Sequence, residues 1–211
     1  EKGLPYVVRL RAAGDYDKRL TFTDVIRGER HLPENDCDPV IMKSGDDLPT
    51  YHFAHIVDDH LMGTTLVIRG DEWISSMPLH LQMFDVMGWK APRYAHIAPI
   101  QKMDGDAKRK LSKRKDPEAN VAHFFEEGYP IEAVMDYLLN IINSDFENWR
   151  KDHLADDYLD FHLDITATSA SGALFDLNKL NNISKNIISE YTNIEVFDKA
   201  LAWAEEYDEN F

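Results

Sequence analysis

The chain has 211 residues, 44% of them hydrophobic and 29% charged, with a formal net charge of -15. That length carries one large or two small domains with an ordinary core, and the composition excludes a disordered chain. The acidic balance argues against a protein that coats nucleic acid over its whole surface, and no run approaches the roughly 18 consecutive apolar residues of a membrane helix.

Cys37 is the single cysteine, so no internal disulfide and no CxxC zinc site is possible. With no signal-peptide pattern at the start, a reducing cytoplasm is the expected location. The sequence opens at Glu1 without an initiator methionine. A piece of a longer polypeptide is the expectation.

Tyr6 to Arg11 alternates apolar and charged residues, the pattern of a half-buried strand, and Gly14-Asp15 marks a turn. Leu20 to Ile26 alternates again and ends at Arg27-Gly28. Pro33-Glu34-Asn35-Asp36 has loop chemistry, and Pro39 to Lys43 predicts a third strand before a turn over Ser44-Gly45-Asp46-Asp47. These strands predict a small, mostly antiparallel β unit, which is not a complete domain of a doubly wound fold.

From Pro49 the pattern changes. Thr50 suits the N-cap of a helix whose stripe is Phe53, Ala54, Ile56 and Val57, ending near Gly63. Thr65 to Arg69 is a continuous apolar run closed by Arg, as in a buried parallel strand. Pro78 starts a helix with Leu79, Met83, Phe84 and Met87 at helical spacing, and Gly88 closes it. Tyr94 to Ala98 is another short strand. Helix, strand, helix, strand is half of an α/β nucleotide-binding domain.

Asp116-Pro117 caps and starts a helix with Val121, Phe124 and Phe125 on one stripe and Gly128 at its end. Pro130 starts another, with Ile131, Val134, Leu138, Ile141 and Ile142 on one face. The remainder, through Ser169-Ala170-Ser171-Gly172 to Phe211, is mostly helical by period, with caps around Asp176 and Asn193.

Two sites carry chemistry. From Lys102 to Lys115 there are seven Lys or Arg and only two Asp, in an otherwise acidic chain. Such a basic loop meets a polyanion, or it is a solvated charge run or localisation-type stretch. Lysines on a mobile loop can stabilise charge developing at phosphorus, and Ser112 can order the loop. The second site is Val67 to Trp73. Arg69 ends a buried strand at the edge where α/β sheets bind ligands, and its planar fork suits a carboxylate or phosphate. Glu72 can accept from an amine or ribose hydroxyl, and Trp73 can form a flat wall. The simpler alternative is that Arg69 pairs with Asp71 or Glu72.

His52, His55, Asp58, Asp59 and His60 fall within one helical span, with His55 and Asp59 at i, i+4. Without a third co-facial ligand, the expectation is pairing on the helix surface rather than a zinc site. Cys37 and the Ser169 to Gly172 stretch are read as inert loop and turn residues.

These residues resemble one family. Lys110-Leu111-Ser112-Lys113-Arg114 is similar to the lysine-serine-lysine signature loop of class I aminoacyl-tRNA synthetases. Leu48 to Phe53, Val57 to Gly63, Val67 to Trp73 and Tyr94 to Pro99 resemble the glutamyl-tRNA synthetases in particular, in the same order along the chain. The resemblance implies that Tyr51, His55 and Arg69 contact the substrate L-glutamate; many relatives have Asn at the position of His55. It implies ATP contacts from Glu72, from the backbone at Ile100, and from Lys110, Leu111, Ser112, Lys113 and Arg114, with Lys110 and Lys113 the catalytic lysines. Glutamyl-adenylate would form from ATP and glutamate with Mg²⁺ assisting, before transfer to the terminal adenosine of tRNA.

The histidine-rich signature and the amino-acid-binding Arg of the family's first half-domain have no counterpart in these residues. The resemblance therefore implies an internal fragment, inactive alone, of a cytoplasmic and monomeric parent whose partners are ATP, glutamate and the tRNA acceptor end and stem. The implied divisions are a tail of the inserted acceptor-arm-binding domain (1–47), the second half of a Rossmann-like α/β catalytic domain (48–107), and the signature loop with a helical stem-contact domain (108–211). A free-standing synthetase-derived tRNA-binding module and a paralogue that glutamylates a tRNA base stay open as alternatives.

Overall fold

The computed structural model describes residues 5–45, 48–154 and 156–208. The last two residues of the turn expected over Ser44 to Asp47, and the final three of the expected helical remainder, lie outside the described residues. By its internal contacts the chain forms two compact units, Glu1–Ile97 and Ala98–Phe211.

The first unit runs β1 (Val8–Arg9), β2 (Arg19–Asp24), β3 (Gly28–Pro33), β4 (Val40–Met42), α1 (Tyr51–Leu61), β5 (Leu66–Gly70), a 3-10 segment Asp71–Ser76, α2 (Met77–Val86) and β6 (Arg93–Ile97). Strands order as β3-β2-β6-β5 in one mixed sheet, while β1 and β4 pair separately and antiparallel. The β5-α2-β6 crossover gives a parallel pair in register from Leu66↔Arg93 to Gly70↔Ile97, as the apolar run at β5 predicts. β2 meets β6 at one parallel partner pair, Asp24↔Tyr94, reinforced by the Val25 N–H donating to the Tyr94 carbonyl at 2.8 Å. That junction brings Asp24 beside the end of β6.

β3 is a strand where the sequence suggests only turn and loop residues. Its Gly28-Glu29-Arg30-His31-Leu32-Pro33 carries polar groups on both faces, as an edge strand allows, and it closes an antiparallel hairpin on β2 through Gly28 at φ 69°. The core of this unit is Ile56, Leu79, Met83 and Phe84, with Leu10, Ile41, Trp89 and Ala91 packed against it. Each such buried side chain contributes about 1.5–3 kcal/mol.

The second unit contains β7 (Gln101–Asp104), β8 (Ala107–Lys110), a 3-10 turn Pro117–Ala119, α3 (Val121–Glu126), α4 (Ile131–Ile142), α5 (Ser144–Asp152), two further 3-10 turns (Tyr158–Asp160 and Ile165–Ala167), α6 (Leu177–Glu190) and α7 (Asn193–Tyr207). The basic run is therefore not all loop. Lys108, Arg109 and Lys110 form β8, antiparallel to β7, and only residues 111–115 make the turn that follows. The expected helix at Pro117 is interrupted: a 3-10 turn precedes Asn120, whose side chain caps α3 by accepting from the Ala122 N–H.

Phe124, Val134, Tyr137 and Leu180 make the core of this unit, packed by Tyr129, Leu138, Ile141, Phe175 and Ile183. Asp176 caps α6, and Thr192, one residue before the expected Asn193, caps α7 in a reciprocal box with Glu195. Gly172 has a packing reason: a Cβ there would lie 2.5 Å from the Pro99 carbonyl oxygen. Its close approach lets Gln101 bond to Ala173 and Phe175 along β7. Among the described residues no helix is long and apolar enough to cross a membrane.

Candidate active site

Arg69 is the penultimate residue of β5, at the carboxyl edge of the parallel pair, where open α/β sheets hold ligands. Its guanidinium is surrounded by imidazoles. Nε donates to His96 Nε2 at 3.0 Å, Nη2 lies 3.2 Å from His80 Nδ1, and Nη1 lies 3.5 Å from His55 Nε2. Nη2 also reaches Met77 Sδ at 3.1 Å, and the cation sits 4.9 Å from the ring centre of Tyr94. The histidines come from α1, α2 and β6, so only the fold brings them together.

Each imidazole is tied down on its far side. His96 Nδ1 is 2.5 Å from Asp24 Oδ2, and His55 Nδ1 is 2.5 Å from Asp59 Oδ2. His80 Nε2 is 2.9 Å from His52 Nδ1. His80 and His96 are completely buried. Burial, followed by the Arg69 charge, pushes the His80 pKa down to about 2. Burial likewise lowers His52 and His55, with Arg69 adding to the effect. For His96 burial outweighs the opposing pull of Asp24.

At neutral pH these rings are uncharged. Among the described residues, the groups hydrogen-bonded to the Arg69 guanidinium are therefore all neutral. Of the two partners that the simple alternative offers Arg69, Asp71 or Glu72, Asp71 is engaged by another arginine. Asp71 Oδ2 accepts from Arg27 Nη2 at 2.8 Å, and Arg27 Nε donates to the His96 carbonyl. A carboxylate arriving within about 4 Å of such a guanidinium interacts with about 4 kcal/mol at a surface-like dielectric, before its own desolvation.

Tyr51, the first residue of α1, lies 4.2 Å from Trp73 between ring centres and nearly parallel to His55 at 5.9 Å. Tyr51, His55 and Arg69 thus lie close together, with the Trp73 ring beside that of Tyr51. Glu72 opens the 3-10 segment after β5, and its carboxyl group folds over Gly70 so closely that a methyl there would collide with it.

The expected surface pairing along α1 is instead partly internal. His55 is buried with Asp59, His52 serves His80, and His60 stacks on Trp89 at 4.0 Å. Among the described residues no three His, Cys, Asp or Glu converge as metal ligands.

In the second unit the signature residues form a braced turn. The Ile100 carbonyl accepts from the Leu111 N–H at 2.9 Å, and the Ser112 carbonyl accepts from Lys115 and Asp116 N–H. Ser112 N–H donates to Asp116 Oδ2 at 2.8 Å. Arg109 grips the same carboxylate with both Nη atoms, at 2.5 and 2.7 Å, and Asp104 through Nε at 2.8 Å. Arg109 is therefore a brace, not the solvent-facing cation that the basic run suggests. Its charge first, and the Ser112 N–H second, hold Asp116 far below the usual carboxylate range. Lys110, Lys113, Arg114 and Lys115 are exposed around this frame.

Sequence reasoning passed over His80, His96, Asp24 and Arg27. The signal for the two histidines was present: each interrupts an apolar run in a buried element, where a polar ring needs a partner.

Residues 1–182 match the family described as tRNA synthetases class I (E and Q), catalytic domain. The chain belongs to that family. The glutamate–tRNA ligase of Clostridium perfringens (strain 13 / Type A) is 55% identical over 208 residues, covering 99% of this chain and 38% of the relative. That of Sorangium cellulosum (strain So ce56) is 48% identical over 220 residues, again with 38% of the relative covered. Among solved structures, a glutamate tRNA ligase from Elizabethkingia meningosepticum CCUG26117, in complex with its amino acid, superposes with a TM-score of 0.74 at 29% identity. That match covers 97% of this chain and 43% of the other. The chain thus spans about two-fifths of the length of the synthetases it matches.

Proposed function

We propose that this chain is part of a glutamate–tRNA ligase and supplies the carboxylate end of its amino-acid pocket together with the ATP signature loop. The observation that carries the reading is the Arg69 guanidinium held among neutral histidines, a site whose charge is answered by an incoming carboxylate. Arg69 binds a carboxylate of L-glutamate, Tyr51 and His55 line the pocket, and Trp73 limits it. The finer architecture is read as a tail of the acceptor-arm insertion, the second half of a Rossmann-like domain, and a helical stem-contact region.

ATP is held by Glu72, by the backbone at Ile100, and by Lys110 to Arg114. The glutamate α-carboxylate attacks the α-phosphorus of ATP and pyrophosphate leaves, giving glutamyl-adenylate. A ribose hydroxyl of the terminal adenosine of tRNA then attacks the acyl carbon and AMP leaves. Lys113, with Lys110, stabilises the charge developing on the phosphates, and the Asp116 brace fixes the turn that carries Lys113. Mg²⁺ enters with ATP and neutralises phosphate charge; a resident protein site is not required for it.

The test is glutamate-dependent ATP–pyrophosphate exchange. The full-length protein is expected to be active with glutamate, and the 211-residue chain alone inactive. Exchange by the isolated chain at the rate of the full-length protein would refute the fragment reading, and no glutamate dependence in the full-length protein would refute the substrate.

A further inference from the structure

The far side of the Arg69 cradle carries information that the substrate pocket alone does not use. Asp24 is 1% exposed and stands at the single junction of β2 with β6. Its two carboxylate oxygens have distinct work. Oδ1 accepts from the Ile26 and Arg27 N–H groups at 3.0 and 2.9 Å, fixing the turn after β2. Oδ2 accepts from the His96 N–H at 3.2 Å, which also reaches Oδ1 at 3.4 Å, and faces His96 Nδ1 at 2.5 Å.

An ionised carboxylate only accepts hydrogen bonds, so the proton between Asp24 and His96 belongs to Nδ1. His96 is then the Nδ1–H tautomer, and its Nε2 lone pair faces Arg69 Nε, which only donates, at 3.0 Å. Donor and acceptor alternate without conflict from Asp24 through His96 to Arg69. The Asp59–His55 pair repeats the arrangement: Nδ1 on the carboxylate and Nε2 toward Arg69 Nη1 and the Tyr94 hydroxyl.

We propose that Asp24 is a positioning residue for amino-acid binding: by fixing the tautomer of His96 it orients the Arg69 guanidinium toward the substrate carboxylate. The proposal rests on Arg69 being the glutamate ligand. It assigns a role in that pocket to a residue on β2, outside the motifs that carry the family resemblance.

The substitution Asp24→Asn tests this with nearly unchanged volume. The turn N–H groups of Ile26 and Arg27 retain the amide oxygen, to which the His96 N–H also turns from its 3.4 Å contact, and the amide NH₂ is left facing His96 Nδ1. That ring nitrogen must then accept, the proton moves to Nε2, and two donors face each other at Arg69. The control His96→Gln places an amide oxygen where Nε2 stood and needs no help from Asp24.

Two measurements on the full-length protein decide the matter. The first is the ¹⁵N resonance of the histidine ring nitrogens, assigned to His96 by its loss in His96→Gln. Nδ1–H is expected in the natural protein and Nε2–H in Asp24→Asn. The second is exchange kinetics: KM for glutamate is expected to rise about 10- to 100-fold in Asp24→Asn, with KM for ATP unchanged. In the His96→Gln background the same substitution should add little, because the two act in series.

A structural role alone would lower stability and disturb both KM values. An Nε2–H tautomer in the natural protein overturns the proposal, and so does an unchanged glutamate KM in Asp24→Asn when Arg69→Ala raises it. If Arg69→Ala leaves glutamate KM unchanged, the substrate assignment itself fails. Should Asp24→Asn not fold, the tautomer in the natural protein and the effect of His96→Gln on glutamate KM, expected to be less than that of Arg69→Ala, still decide between these outcomes.

Discussion

Arg27 holds Asp71: Nη2 of the turn after β2 lies 2.8 Å from Oδ2 of the residue after β5, on side chains that are 14% and 32% exposed. The pair joins the two strand ends that flank β6 and engages the acidic residue two positions from Arg69. Substituting Arg27→Leu leaves the Asp71 carboxylate and the His96 carbonyl without their donor. The expected cost is about 1–3 kcal/mol, read as a lower urea midpoint. Glutamate KM should rise as well, since Asp71 is then available to compete for the cation.

Arg69 is also expected to resist conservative replacement. A lysine ammonium has three donors on a flexible stem and lacks the planar fork that meets His96, His80 and His55 at once. Arg69→Lys should therefore keep the charge but lose most of the binding. Loss of one or two charge-assisted hydrogen bonds, about 1.5–3 kcal/mol each, corresponds to roughly a 10-fold or greater rise in glutamate KM. A Lys variant with near-natural KM would show that charge alone, not fork geometry, binds the substrate.

The buried imidazoles make stability fall on the acid side. Burial first and the Arg69 charge second push His80 down to about 2 from the ordinary imidazole value of 6.5. Between those values the unfolded chain binds a proton that the folded chain refuses, so stability rises with pH up to about 6.5 and is lost below it. His80 alone contributes a slope of up to about 1.4 kcal/mol per pH unit in that window, and His52, His55 and His96 shift in the same direction. Asp24, whose hydrogen bonds from His96 and the Arg27 and Ile26 N–H groups outweigh its burial, is depressed instead, and its contribution is lost only under more acid conditions. Urea midpoints at pH 7, 6 and 5 should decline steadily, and less steeply in His80→Gln.

The Asp116 brace controls the signature turn. Asp116→Asn removes the ion pair with Arg109 and weakens the bond to Ser112 N–H. Loosening is expected to show as faster trypsin cleavage after Lys113, Arg114 or Lys115 and as a higher KM for ATP, with glutamate KM unaffected. Unchanged proteolysis would mean that the β7-β8 hairpin holds the turn by itself.

Gly172→Ala tests the packing of the second unit. Its new methyl would meet the Pro99 carbonyl at 2.5 Å and the Gln101 side chain at 3.1 Å. Overpacking of this kind costs about 1–3 kcal/mol, measurable as a lower melting temperature.

Much of this arrangement was legible in the sequence because local rules coincide with the fold. The apolar run at β5, the proline and glycine bounding α2, and the acidic cap of α6 each specify one conformation. β3 escaped because an edge strand has no buried face to impose an alternating pattern. β8 escaped because its lysines and arginine look like a solvated run until Asp104 and Asp116 are seen to neutralise Arg109. Tyr51, His55 and Arg69 were marked by their resemblance to a family pattern, and Arg69 also by its place at a strand end. The histidines that orient Arg69 could not be grouped from sequence: His55, His80 and His96 lie on three elements, and only the parallel pairing of β5 with β6 and the packing of α1 on α2 collect them.

The most direct test of the account is the separation of two Michaelis constants in the full-length protein carrying Arg69→Ala. Glutamate KM in pyrophosphate exchange is expected to rise by about 100-fold or more, as for a lost bidentate charged contact, while ATP KM stays within about twofold, since ground-state binding of ATP does not use this cation. A glutamate KM equal to that of the natural protein would contradict the assignment of Arg69 as the carboxylate ligand.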